Sequence, residues 1–177
     1  MLDPGLTLDL AMTQRGETGT LSSHGVTWHV LAVDGRMWLR GRELWAATLP
    51  ADRAAAYGDA WVEVTDGTAA FDTARILPTL PQVMVAEIFG PHPDLHLTGT
   101  TTLAGRAAVE LKGGKDIYDV AGSGTPYPLR WLDAEIPGAG GQPCGITLDR
   151  FGEPVSLAPP SPVVATLSPT PSPSPGG

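Results

Sequence analysis

The amino-acid sequence predicts a mainly β protein of the α+β class, and three observations lead to that fold class. Residues 95–136 form four strand-like runs in succession, separated by short glycine-containing turns. Residues 5–13 alternate strictly between apolar side chains and others, which is typical of a half-buried strand. The residues that favour helices are confined to 42–90. We therefore expect 5–157 to form a single antiparallel sheet of roughly nine to eleven strands, with every helix between Arg42 and Gly90.

The run 95–136 is the element around which the rest is organised. Its turns are Ala104-Gly105, Gly113-Gly114 and 122–126. Glycine readily adopts the positive φ that a tight hairpin needs, and strands joined by short turns must be antiparallel. The second half of the chain is therefore predicted to be a β-meander.

The N-terminal part is predicted to contain four further strands. The strand 5–13 is followed by a polar turn over 14–19 and then by strands over 20–25, 26–33 and 36–40. Asp34-Gly35 is a strong signal for the hairpin between the last two. In the strand 26–33, Trp28 and Val30 lie on one face, and Leu31 and Val33 lie on the other. A strand that is apolar on both faces must be covered on both.

The cover is predicted to come from the residues that follow. Residues 43–58 are rich in alanine and favour a helix, with Pro50 suited to a helix start and Gly58 to a helix end. A short strand over 59–65 comes next. Residues 68–90 are the most apolar part of the chain, and two prolines divide them into short helices over 70–77 and 81–89.

The C-terminal part is predicted to complete the sheet and then leave it. A loop over 137–143 precedes a strand over 144–151, a turn at 152–154 and an edge strand over 155–157. From Ser161 onward the chain is rich in proline, serine and threonine, so we expect it to be extended or disordered. These features divide the chain into one domain, 1–160, and a disordered tail, 161–177.

Composition excludes several classes of partner. The net charge is −8, which argues against nucleic acid and against electrostatic binding to anionic lipid headgroups. The chain contains no run of 18 apolar residues and begins MLDPGLTLDL, without a visible signal peptide. Either the protein is cytoplasmic, or its original N-terminus is missing from this chain. Cys144 is the only cysteine, and it is interpreted as a small, half-buried hydrophobe.

No motif in the sequence predicts catalysis, a metal or a cofactor. His92 and His96 have helical spacing but lie in a segment with two prolines, so convergence on a metal is not expected. Ser23 and His24 would point to opposite faces of a strand, which does not suit nucleophilic catalysis. Gly122-Ser123-Gly124 lies between strands and is a turn. Asp133 and Glu135 share one strand face, whereas glycosidases need opposed carboxylates. We therefore expect a protein that is not an enzyme.

The order of these segments resembles a known family. The matching segments are VLAVDGRMWLRG, DAWVEV, LTGTTTLAGRAAVEL, DVAGSGTPYPLRW and ITLDRFGEPVSLAPP. In this arrangement, over roughly 5–160, the chain is similar to actinobacterial lipoproteins of the LppX/LprG type, which belong to the LolA-like superfamily. The run YPLR after a glycine-rich turn is the most specific match.

The resemblance implies a fold and a function. The fold would be a curved antiparallel half-barrel, an unclosed sheet with short helices packed on its concave face and a hydrophobic cavity between them. The function would be non-covalent carriage of a lipid, a glycolipid or a lipidated protein in the bacterial cell envelope. The family's lipidated N-terminal cysteine has no counterpart, because Cys144 lies late in the chain. Membrane contact would come through delivery or through an anchor absent from this chain, and we expect a monomer.

Within that fold, the ligand cavity is predicted to lie against the two proline-divided helices. Its candidate wall residues are Phe71, Ile76, Leu80, Met84 and Ile88, facing Trp28 or Trp38. The segment has more apolar surface than a solvent-facing helix tolerates, and apolar walls define ligand sites. The alternative is that the tryptophans and these helices form a filled core. The protein would then be an envelope interaction or sensor module of the RseB-like kind, and the volume of the cavity separates the two.

Overall fold

The computed structural model describes residues 6–65, 68, 88–137 and 143–167. Within these residues it contains eleven strands and two helices, and the mainly β class is confirmed. In chain order the elements are β1 (Thr7–Thr13), β2 (Gly16–Ser23), β3 (Val26–Val33), β4 (Arg36–Arg40), α1 (Arg42–Thr48), α2 (Ala51–Tyr57), β5 (Trp61–Val64), β6 (His96–Leu103), β7 (Arg106–Gly113), β8 (Asp116–Ala121), β9 (Pro128–Pro137), β10 (Pro143–Thr147) and β11 (Val163–Leu167).

The strands form two sheets, where the sequence predicted one. The chain divides into two compact units. The six-stranded unit comprises Leu6–Pro81 and Val155–Gly177, and its sheet has the order β1-β2-β3-β4-β5-β11. The five-stranded unit comprises Met1–Gly5 and Gln82–Pro154, and its sheet has the order β10-β9-β8-β7-β6. The prediction of a single sheet is therefore wrong.

Hairpins build the first four strands of the six-stranded sheet. Asp34 and Gly35 have φ values of 50° and 77°, so they form the type I′ turn that their sequence predicts. In the resulting register Leu31 lies opposite Trp38 and Val30 lies opposite Leu39. Strand β2 begins at Gly16, four residues before the predicted strand, because the turn after β1 takes up only Gln14 and Arg15.

Each face of this sheet has its own set of buried side chains. We call the face that carries Trp28 the core face. Its buried apolar residues are Leu21, Trp28, Val30, Ala32, Met37, Leu39, Val62, Val64 and Leu167. We call the opposite face, with Leu31, Val33 and Trp38, the second face. Strand β3 is thus buried on both sides, as its sequence predicts.

The helices pack in the six-stranded unit through three buried residues, Leu44, Trp45 and Ala54. The predicted helix over 43–58 is divided at Leu49-Pro50, because proline lacks the N–H that would continue the first helix. The ring of Trp45 meets that of Tyr57 edge-on at 5.7 Å. A Cβ on Gly41 would lie 2.8 Å from the Cβ of Trp28, so α1 begins directly against the core face.

The last strand corrects the predicted tail. Val163–Leu167, placed in the tail by its composition, forms β11 and pairs in parallel with β5. Both the backbone N–H and the hydroxyl of Thr65 donate to the carbonyl oxygen of Leu167, each at 3.1 Å. The sheet therefore extends beyond the predicted boundary at residue 160. Residues 168–177 lie outside the described part of the chain.

The five-stranded sheet contains the predicted meander. Strands β6 to β9 are antiparallel neighbours in sequence order, and β10 adds to β9. Strand β10 ends at Thr147, before the end of the predicted strand 144–151. The predicted edge strand 155–157 does not form, since 153–160 have no regular secondary structure.

Candidate functional site

The structure separates the residues predicted to line the cavity. Trp28 and Trp38 are each 1% exposed, but they lie on opposite faces of one sheet. Ile88 is partly exposed, and its carbonyl oxygen lies 2.9 Å from Nε2 of His92 in the five-stranded unit. Phe71, Ile76, Leu80 and Met84 lie outside the described residues, as do most of the two predicted helices. The structure thus does not bring Trp28 and Trp38 together.

Of the described residues, those of the core face are the best candidate for a ligand surface. Five antiparallel strands place apolar side chains side by side, most of them buried on β2 to β5 and partly buried on β1. Pockets for apolar ligands have such walls, with a small number of polar groups that fix orientation. The core face has such a polar group in Glu17.

Glu17 is a buried carboxyl group among apolar neighbours. Its residue is 1% exposed. Strand β2 places it opposite Met12 on β1 and Ala32 on β3, and Ala32 in turn lies opposite Met37. Gly19, two residues along β2, contributes no side chain beside it. A Cβ there would lie 2.0 Å from the carbonyl oxygen of Asp9, so the backbone requires glycine.

The carboxyl group of Glu17 has an unusual environment. Among the residues that the structure describes, no group donates a hydrogen bond to Oε1. Burial raises the pKa of Glu17 from 4.5 to about 7, because the apolar surroundings disfavour the charged form. The carboxyl group is therefore poised between its neutral and ionised states at neutral pH.

Three buried tryptophans add unpaired donors in the same unit. The indole Nε1 atoms of Trp28, Trp38 and Trp45 have no acceptor in the described part of the chain, and of these Trp28 lies on the core face. Trp28 lies on the core face four residues along β3 from Ala32, the partner of Glu17, which is about 13 Å. The core face therefore has a carboxyl group towards one end and an indole donor towards the other.

The second face is filled by the protein's own side chains. Leu31, Val33 and Trp38 form a cluster with Trp61 and Leu157. The guanidinium of Arg36 lies 4.7 Å from the ring centre of Trp38. Arg36 also forms two hydrogen bonds with the carboxylate of Glu63, at 2.7 and 2.9 Å. This face is closed by apolar packing and an ion pair.

An open cleft lies beside this filled cluster, but its chemistry is not specific. Its volume is about 620 Å³, and it is lined by Thr13, Gln14, Arg15, Val155, Leu157, Ala158 and Pro159. The charged group in its lining, Arg15, is exposed and paired with the exposed Asp34 at 2.6 Å. No buried polar group converges there among the lining residues, so we do not assign it a ligand.

The five-stranded sheet has polar clusters with internal partners. Arg130 binds the buried Asp119 at 2.6 Å, and Lys115 binds the buried Asp133 at 2.6 Å. The hydroxyl of Tyr118 lies 3.1 Å from Nε2 of His92. Within the described ranges, no group of three His, Cys, Asp or Glu residues could hold a metal ion. These contacts pair Asp133 and one carboxylate oxygen of Asp119 within the sheet, whereas Oδ1 of Asp119 has no partner among the described residues.

One geometric argument from the sequence needs correction. Oγ of Ser23 lies 2.9 Å from Nδ1 of His24, although neighbours in a strand would point apart. His24 is a turn residue with a φ of 50°, so strand alternation does not apply to it. His24 is exposed, and the pair lies where β2 ends and the hairpin turn to β3 begins.

The sequence analysis missed Glu17 because it assigned 14–19 to a polar turn. A turn of only two residues puts Glu17 inside β2, on the same side as Leu21. The signal was present in the alternation of Glu17, Gly19 and Leu21 with the threonines between them.

Comparison with known proteins finds no match for this chain among protein-family models, curated proteins or solved structures. The similarity to LolA-like lipoproteins therefore rests on the segments quoted above. Among the described helices, neither is long and apolar enough to cross a membrane.

Proposed function

We propose that the protein is a non-catalytic carrier that binds the acyl chains of a lipid, a glycolipid or a lipidated protein against the core face. The observation that carries the proposal is the combination of an extended apolar face with buried, unpaired polar atoms on Glu17 and Trp28. More than about 90% of buried polar groups in native proteins are paired, so each orphaned group needs an explanation. A ligand that is mainly apolar and carries a few polar groups supplies one.

The finer architecture is part of the same proposal. The open, mainly antiparallel six-stranded sheet and the helix starting at Gly41 beside Trp28 are compatible with a half-barrel whose helices cover the core face. Phe71, Ile76, Leu80 and Met84 would add to the cover. Trp38 belongs to the filled second face, so we keep Trp28 alone from the hairpin as a cavity wall.

Energetics set the size of the ligand. Burial contributes about 0.8 kcal/mol for each CH₂ group, so ten methylenes give roughly 8 kcal/mol. Association costs about 4–15 kcal/mol. A single short chain therefore binds weakly, and we expect the natural ligand to have two chains or one long chain.

The expected setting follows from the resemblance and from the charge. The carrier would act in the cell envelope as a monomer and would meet membranes during delivery or through an anchor. The net charge of −8 makes apolar contact, rather than attraction to anionic headgroups or nucleic acid, the basis of binding.

Two adjacent residues on the edge strand β1 provide a matched test. Leu10 and Ala11 are both partly buried, and they point to opposite faces. Leu10 lies opposite Gly19, which carries no side chain, and on the same side of the sheet as Glu17. We expect a fluorescent fatty-acyl probe to bind the wild type, to bind Leu10→Trp more weakly, and to bind Ala11→Trp unchanged.

Native mass spectrometry of protein purified from a lipid-containing host provides the second readout, as an added mass that organic extraction removes. Circular dichroism confirms that both variants are folded. A wild type that carries no lipid and binds no acyl probe contradicts the carrier proposal. Equal loss of binding in the two variants contradicts the assignment to the core face.

The second candidate function is an interaction or sensor module with a filled core. The observation that favours it is the second-face cluster, in which Leu157 packs against Trp38 and its neighbours. If the core face is equally filled, bulk at Leu10 should destabilise the fold and no acyl probe should bind. That pair of results would select the module over the carrier.

A further inference from the structure

In the part of the chain that the structure describes, Glu17 is the only charged residue among the buried side chains of the core face. Its register neighbours, Met12 and Ala32, are apolar, and an apolar residue of similar size would fit the same row without desolvating a carboxyl group. Oε1 of Glu17 has no partner among the described residues, and a ligand bound against the core face would supply one.

We propose that Glu17 is the recognition point for a free hydroxyl group on a neutral lipid, of the kind found in mono- and diacylglycerols. This inference rests on the proposed carrier function and names the ligand class for the same face. The unpaired Oε1 atom would take the hydroxyl, while the apolar rows of β3 and β4 would contact the acyl chain.

The hydroxyl follows from the chemistry of a carboxyl group in apolar surroundings. A hydroxyl both donates and accepts hydrogen bonds. It can therefore pair with the ionised carboxylate as a donor and with the neutral acid as an acceptor. An ester carbonyl accepts only, so it matches the neutral acid alone.

A cationic headgroup fits the site less well. It would pair only with the ionised carboxylate, and burying two charges costs more than burying one neutral pair. The adjacent residues on β1 and β3, Met12 and Ala32, offer no further acceptor side chain for an ammonium group. These apolar neighbours therefore favour a neutral partner for Glu17.

The test compares two probes and two variants. The probes are 1-monooleoylglycerol, which has free hydroxyls, and its dimethyl ether, which has the same chain but no hydroxyl donor. Each is titrated as a competitor against the fluorescent acyl probe. The variants are Glu17→Leu, which removes both hydrogen-bonding atoms, and Glu17→Gln, which keeps a donor and an acceptor.

We expect the wild type to prefer monooleoylglycerol over its dimethyl ether by roughly tenfold in Kd. Glu17→Gln should keep most of that preference, and Glu17→Leu should lose it while binding the dimethyl ether at least as well as the wild type does. Retained binding of the ether shows that Glu17→Leu is folded and that its face is intact.

Four outcomes would overturn the inference. If the wild type binds both probes equally, Glu17 does not recognise a hydroxyl, and the carrier proposal stands without it. If the preference persists in Glu17→Leu, another residue makes the contact. If oleylamine competes better than monooleoylglycerol and loses that advantage in Glu17→Leu, the partner is a cation. A wild type that binds no acyl probe would overturn the inference and the carrier proposal together.

Discussion

The two sheets differ in whether a cation is paired with their buried carboxyl groups. In the five-stranded sheet, Asp119 is 0% exposed and its carboxylate accepts from Nε of Arg130 at 2.6 Å. Asp133 is 2% exposed and pairs with Nζ of Lys115 at 2.6 Å, while the N–H groups of residues 135 and 136 donate to its other oxygen. In the six-stranded sheet, Glu17 is as deeply buried, but Oε1 has no partner in the described residues.

The consequence is visible in the direction of the pKa shifts. The hydrogen bond from Lys115 lowers the pKa of Asp133 below its usual value, because that bond stabilises the charged form. Burial raises the pKa of Glu17 to about 7, because nothing stabilises the charged form. Each aspartate thus has a cation paired with it in its own sheet, although Oδ1 of Asp119 has no partner among the described residues. The described residues show no such cation for Glu17, which is why we assign it a binding role.

The largest effect is expected from removing the cation beside the most deeply buried acid. Arg130→Met leaves Asp119 as an uncompensated buried charge, and breaking such a pair costs about 3–5 kcal/mol of unfolding free energy. The exposed Arg106 on β7 supplies the control, and Arg106→Met should change that free energy by less than about 0.5 kcal/mol.

Urea unfolding followed by ¹⁹F NMR of 5-fluorotryptophan measures the loss of stability in the five-stranded unit, which contains Arg130. Trp131 is the one tryptophan in the sequence 82–154, so its resonance reports the five-stranded sheet. Equal midpoints for Arg130→Met and Arg106→Met at this resonance would show that the buried pair contributes nothing.

The next effect concerns Glu17 and has a defined pH window. The unfolded carboxyl has a pKa near 4.5 and the folded one about 7, so the folded state binds the extra proton between these values. The stability supplied by the neutral carboxyl is fully present below pH 4.5 and is lost as pH rises to 7. We expect the free energy of unfolding of the wild type to fall by an amount on the order of 3 kcal/mol over this range. In Glu17→Gln this pH dependence should be absent.

Glu63→Gln on the same sheet is the matched control, with the opposite sign. The hydrogen bond from Arg36 lowers the pKa of Glu63, so the stability that this pair supplies is present above pH 4.5 and is lost on acidification. The change that Glu63→Gln makes in the free energy of unfolding should therefore be constant between pH 5 and 8. Parallel stability curves for the wild type and Glu17→Gln over that range would contradict the buried, unpaired carboxyl.

A smaller effect is expected at the partly exposed pair. Lys115→Met removes the charge beside Asp133, but water reaches the Lys115 side chain, which is 43% exposed, and two backbone N–H groups continue to bind the aspartate. The melting temperature at pH 7 should fall by less than it does in Arg130→Met. Since the pair lowers the pKa of Asp133, the difference from wild type should vanish as the pH falls through that pKa. A difference that persists in acid would assign the effect to lost packing.

The sequence predicted the parts of this comparison that depend on local pattern. The meander and the burial of β3 on both faces follow from turn residues and alternation within a few positions. The pairing of β11 with β5 joins Thr65 to Leu167, about a hundred residues apart, and nothing in the composition of the predicted tail indicates it. Glu17 was assigned to a turn, because the start of β2 depends on a two-residue loop that polarity alone does not mark.

The smallest effect is expected for the exposed pair beside the cleft, Arg15 and Asp34. Their side chains are 72% and 60% exposed, so water screens the attraction despite the 2.6 Å contact. Asp34 also has a φ of 50°, which asparagine tolerates and alanine does not. The test therefore uses Arg15→Met, Asp34→Asn and the double variant, which remove the charge without straining the turn. We expect the melting temperatures to be additive within error and insensitive to 0.5 M NaCl. A reproducible coupling between the two residues would mean that the pair holds the β1–β2 and β3–β4 turns together. The exposed fraction of the side chains would then not be enough to predict which ion pairs of this protein contribute to its stability.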